Sequence, residues 1–169
     1  MGNQIKNFAT GNKINFSAAG VPQVQGANAA VELTDKAITA GGTGTIATTG
    51  NSDVYIIAPH AGTVSSIEYS GATALATSDT NYITWTVTNL GQAGAGTTAL
   101  LAATNPNTTK ATGGSALVAD SKRTLTLHGT AANLVVAAGD RLRIRAAATG
   151  TLAGAITAPA YCIRYSRTI

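Results

Sequence analysis

Catalysis needs a nucleophile beside a base, a pair of carboxylates or a cage of metal ligands. This chain has few residues from which to build one. Its two histidines, His60 and His128, fall in different segments, and neither has a second His, Cys or Asp at ligand spacing. The carboxylates are Glu32, Asp35, Asp53, Glu68, Asp79, Asp120 and Asp140. Only Glu32 and Asp35 share a short segment, and on a strand a spacing of three puts them on opposite faces. Nothing matches a calcium loop, a phosphate-cradling Gly-rich loop ending in Gly-Lys-Ser/Thr, or a Gly-x-Ser-x-Gly elbow. The single cysteine, Cys162, cannot cross-link the chain to itself and reads as a small, half-buried strand residue. The expectation is a protein that is not an enzyme, with no catalytic residues, no metal and no cofactor.

The residues that remain suit contact with another macromolecule. Arg141, Arg143 and Arg145 alternate with Leu142 and Ile144, which on a strand sets three guanidinium groups on one face about 6.7 Å apart. Such a row is either a solvated face or a surface for carboxylates of another chain, since guanidinium forks bind carboxylates bidentately. Arg164 or Arg167 could extend it if the last strand lies nearby. Phe8 and Phe16, the only phenylalanines, both lie in the first 30 residues, where they are candidate anchors on a partner. Trp85 is read as a core anchor, with a ligand-stacking platform as the sharper alternative.

The elements that must position these residues follow from composition and pattern. A chain of 169 residues is near the size of one domain, and at that length a core can bury roughly 70% of the unfolded surface. Hydrophobic residues reach 44%, which excludes a disordered composition, and no heptad persists to suggest a coiled coil. With 33 Ala, 27 Thr and 19 Gly, the composition suits short strands joined by turns. Charged residues are only 11%, against about 25% in a typical domain. So few charges suggest a surface partly covered by partners. The net charge of +4 is spread without a basic run, so nucleic acid is not the expected partner. No apolar stretch is long enough for a membrane span, and the N-terminus lacks an apolar signal core. Lys6 stands where a myristoylation motif wants Ser or Thr. Glycosylation triplets begin at Asn15 and Asn107, but without a secretory signal they are read as chance.

Residues 1–30 hold isolated apolar residues with no sustained period and read as an extended N-terminal arm, either a disordered tail or a segment that orders against a neighbour. Residues 31–169 form the domain. Strands are expected over 31–39, 45–49 (closed by Gly50-Asn51), 54–58, 63–70, 82–88, 116–119, 124–128, 134–137, 141–146 and 161–167. The alternation of Ile83, Trp85 and Val87 with Tyr82, Thr84, Thr86 and Thr88 is without error, whereas that of 63–70 is imperfect. Residues 97–103 fit either a strand or one helical turn. Pro59-His60-Ala61-Gly62, Asp120-Ser121-Lys122-Arg123 and Gly139-Asp140 read as turns, and 91–96 and 105–109 as loops. Eight to ten short strands without a helix of useful length give an all-β fold: an antiparallel β-sandwich of jelly-roll type.

Residues 54–169 resemble the head decoration (cement) proteins of tailed bacteriophages. The resemblance is carried by Ala58-Pro59-His60-Ala61-Gly62-Thr63-Val64, the Thr-rich strand into Asn89-Leu90-Gly91, Asn105-Pro106-Asn107-Thr108-Thr109, Gly139-Asp140-Arg141-Leu142-Arg143 and Thr149-Gly150-Thr151-Leu152. It implies a structural virion protein, made in the host cytoplasm, that sits on the outer surface of the capsid as a homotrimer. There it would bridge neighbouring major capsid proteins and stabilise the DNA-filled head. A protein that binds only the assembled lattice stabilises that lattice by mass action. The alternative is a β-sandwich module of a phage fibre or spike that recognises a receptor or glycan.

Overall fold

The computed structural model describes residues 44–103 and 105–167, together with the backbone of four earlier strands. The chain divides into two units, Met1–Thr34 with Ile169, and Asp35–Thr168. In the first, β1 (Gln4–Lys6), β2 (Lys13–Phe16) and β3 (Pro22–Gln25) pair as an antiparallel meander in the order β1-β2-β3. Strands of three or four residues are too short to display a period, which is why the sequence here shows none. Phe8 and residues 31–35, with the pair Glu32 and Asp35, lie outside the described residues.

The second unit holds β4 (Lys36–Gly41), β5 (Thr45–Ile46), β6 (Gly50–Ile57), β7 (Gly62–Ser70), β8 (Tyr82–Asn89), β9 (Thr98–Ala99), β10 (Arg123–Leu125), β11 (Val135–Val136), β12 (Arg141–Thr149), β13 (Ile156–Thr157) and β14 (Ala160–Arg167). One sheet runs β10-β7-β14-β4, with β11 also on β7. A second runs β6-β12-β8-β9, and β13 pairs with β5. All the pairings are antiparallel. The fold is all-β.

Alternation decides what each strand buries. Ile83, Trp85 and Val87 on β8, Leu142, Ile144 and Ala146 on β12, and Tyr161, Ile163 and Tyr165 on β14 all enter one hydrophobic cluster shared by the two sheets. Tyr69 of β7 lies 5.0 Å from the Trp85 ring and 5.4 Å from Tyr161, centroid to centroid. Trp85 is 1% exposed, so it is a core anchor and offers no stacking platform. The imperfect alternation of β7 has a physical cause. Arg164 pairs with Ser66 but Tyr165 pairs with Val64, so β7 carries one extra residue there. That bulge lets Val64 and Ile67, three apart, both face inward.

Four readings of the sequence need correction. Gly50-Asn51 continue β6 opposite Ala148 and Ala147, where a break was expected. Residues 116–119 make a single bridge, Leu75 to Leu117, and no strand. Gly62 belongs to β7 and not to a turn, and a Cβ there would collide with the carbonyl oxygen of Ser166. Only glycine fits so close to a neighbouring strand. The supposed loop at 105–109 is part of the interior: Asn107, Thr108 and Thr109 are all buried. The Asn107 amide donates to the carbonyls of Ala102 (3.0 Å) and Thr126 (2.9 Å), and its Oδ1 accepts from the Thr126 amide (2.7 Å). Thr108 Oγ1 and the Thr109 amide both donate to the Ile83 carbonyl, and Thr109 Oγ1 accepts from the Ile83 amide. The segment thus completes the hydrogen bonding at the start of β8.

Candidate functional site

The outer face of the β6-β12-β8-β9 sheet gathers the residues best suited to contact. Cross-strand register sets the rows. Ile57 of β6 lies opposite Arg141 of β12, Tyr55 opposite Arg143 and Asp53 opposite Arg145. On the far side of β12, Arg143 lies opposite Thr88 and Arg145 opposite Thr86. Leu142 and Ile144 pull β12 onto the core, and strict alternation then turns the arginines outward. By the same rule Val54 and Ile56 face the core side of β6 while Tyr55 and Ile57 point out, 59% and 64% exposed.

The three arginines are not equivalent. Arg145 makes a bidentate pair with Asp53, Nε to Oδ1 and Nη2 to Oδ2, both at 2.7 Å. That guanidinium hydrogen bond holds the Asp53 carboxyl below its ordinary value and raises Arg145, against a smaller opposing effect of burial on each. Arg141 donates to the Gln92 carbonyl at 3.2 Å and lies against the 91–96 loop. Gly94 faces the guanidinium there with φ of +80°, a backbone region that also favours glycine. Among the described residues Arg143 makes no ion pair, and its buried Nε has no acceptor.

The end of the sheet that carries Arg141 is fixed from beneath. Asp140 is 7% exposed, and its Oδ2 accepts from Asn89 Nδ2 (2.7 Å) and the Ala137 amide (2.8 Å). Asn89 Oδ1 accepts in turn from the Gly91 amide (2.8 Å). One buried carboxylate therefore ties the 91–96 loop to the turn that launches β12.

Beside the arginine rows the same face opens into a groove of about 370 Å³ lined by Thr84, Thr86, Thr88, Leu101 and His128, among others. His128 Nδ1 accepts from the Thr130 amide at 3.0 Å. His60 lies in the 59–61 turn. Among the described residues no three His, Cys, Asp or Glu side chains come together as a metal cage. No described helix is long and apolar enough to cross a membrane.

The remaining basic residues lie elsewhere. Arg164 is on β14, in the other sheet, where Nε lies 3.9 Å from Glu68, so it does not extend the β12 row. Arg123, read as part of a polar turn, begins β10, with its guanidinium carbon 5.1 Å from the Trp85 ring centre. It donates to the carbonyls of Thr108 (2.7 Å) and Ser115 (2.9 Å), and burial lowers its pKa. Cys162 is half-buried on β14, as its strand position suggests. Phe16 is on β2 in the first unit, opposite Pro22.

No family model, curated protein or solved structure matches this chain. The functional reading therefore stands on the residues themselves. Sequence reasoning found the arginines but missed Tyr55 and Ile57, whose place on the outer face follows from the same alternation that buries Val54 and Ile56.

Proposed function

We propose that this chain is a structural virion protein: a jelly-roll β-sandwich with an N-terminal arm that decorates the outer capsid surface, bridges neighbouring major capsid proteins and stabilises the DNA-filled head. The strand order supports the jelly roll. In chain order β4, β6, β7, β8, β9, β10, β12 and β14 fall in the first, second, first, second, second, first, second and first sheet. The first and last of these eight strands are neighbours, as two nested Greek keys require. The contact of Tyr69 with Trp85 supports face-to-face packing of the sheets.

The observation that carries the binding role is the outer face described above. Tyr55 and Ile57 stand exposed beside Arg141 and Arg143, a combination of apolar, aromatic and guanidinium groups typical of interface cores. The low charge of the chain agrees with a surface covered by neighbours. A homotrimer is part of the proposal, with residues 1–30, including Phe8 and Phe16, clasping a neighbour or the capsid. Electron microscopy of heads with and without the protein tests it: density on the outer surface and added resistance to heat are expected. Bare heads that neither bind the protein nor gain heat resistance would contradict it.

The groove beside Thr84, Thr86, Thr88 and His128 favours a second reading, a fibre or spike module that binds a receptor or glycan. Binding of the protein to host-surface polysaccharide but not to heads would select it.

A further inference from the structure

We infer that the ridge formed by Arg141, Arg143, Tyr55 and Ile57 is the docking surface for an acidic protein partner, one that presents carboxylates flanked by apolar side chains. The inference rests on the decoration reading, in which that partner is a capsid subunit, and adds which face docks and what chemistry it meets.

Charge complementarity decides the occupant. Asp53 forms its ion pair with Arg145, at one end of the row, and its charge also reaches Arg143 more weakly. Arg141, exposed, and Arg143, half-buried, stand two residues apart, about 6.7 Å, without a described carboxylate in ion-pair contact. The described residues of a second copy of this chain supply no matching acidic surface. Among the described carboxylates Asp53 is held by Arg145, Glu68 by Lys122, Asp79 by the Thr112 amide and Asp140 by Asn89, which leaves Asp120. Two copies meeting through this face would also set their own guanidinium groups against each other.

Nucleic acid fits less well than acidic protein. Phosphate-driven affinity grows with the number of cations engaged. This face offers two cations outside any described ion pair, with the Asp53 carboxylate nearby to repel phosphates. Ile57, 64% exposed, gains nothing from a sugar-phosphate backbone but buries well against an apolar protein side chain. The guanidinium groups are also placed before a partner arrives. Arg141 is held by Gln92 and the 91–96 loop, and Arg143 lies between Tyr55 and Thr88, so less ordering entropy is lost on docking.

The test uses the full-length chain on three surfaces: immobilised poly(L-glutamate), immobilised double-stranded DNA, and heads lacking the protein. The Arg141→Ser/Arg143→Ser variant is compared with a charge-matched Lys110→Ser/Lys122→Ser control. Binding to poly(L-glutamate) that weakens with salt, and at least about a tenfold loss of affinity in the arginine variant but not in the lysine control, is expected. Ile57→Asp should weaken binding to heads by a similar factor. No binding to poly(L-glutamate), equal loss in both double variants, or tighter binding to DNA would overturn the acidic-protein assignment. If the wild type binds heads and the arginine variant binds them equally well, the docking face is wrong and the decoration reading stands. If the wild type binds poly(L-glutamate) through the arginines but ignores heads, the decoration reading fails while the acidic-partner face survives.

Discussion

Replacing Asn107 with alanine should be among the most damaging single changes outside the aliphatic core. Its side chain is fully buried and makes three hydrogen bonds to backbone groups of Ala102 and Thr126. Alanine leaves the Thr126 amide and the Ala102 carbonyl without these partners, while the Thr126 carbonyl keeps the bond from the Ala102 amide. At about 1 kcal/mol net for each bond, the loss is about 3 kcal/mol. At roughly 4 °C per kcal/mol for a unit of this size, that is a fall in Tm of about 12 °C. Asn107→Asp should cost more, because a carboxylate would face the two carbonyls that the amide now serves. Thermal unfolding followed by far-ultraviolet circular dichroism reads both variants. A Tm within about 3 °C of wild type for Asn107→Ala, or an Asn107→Asp variant as stable as wild type, would refute the claim that this segment completes the sheet.

Three further outcomes are expected. The Asp53–Arg145 pair should contribute up to about 1 kcal/mol, present above the ordinary carboxyl value near 3.8 and lost as pH falls through the lower folded value. The Tm difference between wild type and Asp53→Asn should therefore shrink from pH 6 to pH 2.5, and a constant difference would contradict the pairing. Gly62→Ala must move the backbone of β14 or β7, so its Tm should fall by several degrees, whereas a neutral or raised Tm would show that the strands give way freely. A chain lacking residues 1–30 should keep a cooperative thermal transition, since β4 begins at Lys36, but should attach more weakly to heads. Loss of the transition would place the N-terminal segment in the core.

Strands were legible where one face is buried without interruption. In β8, β12 and β14 every second residue enters the core, so the alternation of apolar and polar residues reveals the strand. In β7 the bulge at Ser65–Ser66 shifts the phase, and no local rule signals an extra residue that is defined by the partner strand. Features that depend on distant residues were hidden. Asn107 and Thr126 are 19 positions apart, and Asp53 and Arg145 are 92 apart and meet only because β6 pairs with β12. Arg123 looked like a turn residue because nothing in its neighbourhood reveals that Trp85 and three backbone carbonyls await it inside. The arginine row was visible as a pattern. Its division into one ion-paired arginine and two outside any described ion pair required the sheet.

Binding of the purified full-length protein to heads that lack it, followed by electron microscopy and heat challenge, tests the decoration role itself. Ordered density on the outer surface at symmetry-related positions, and heads that survive a higher temperature, are expected. Heads that remain bare at saturating protein and show unchanged heat resistance would contradict it.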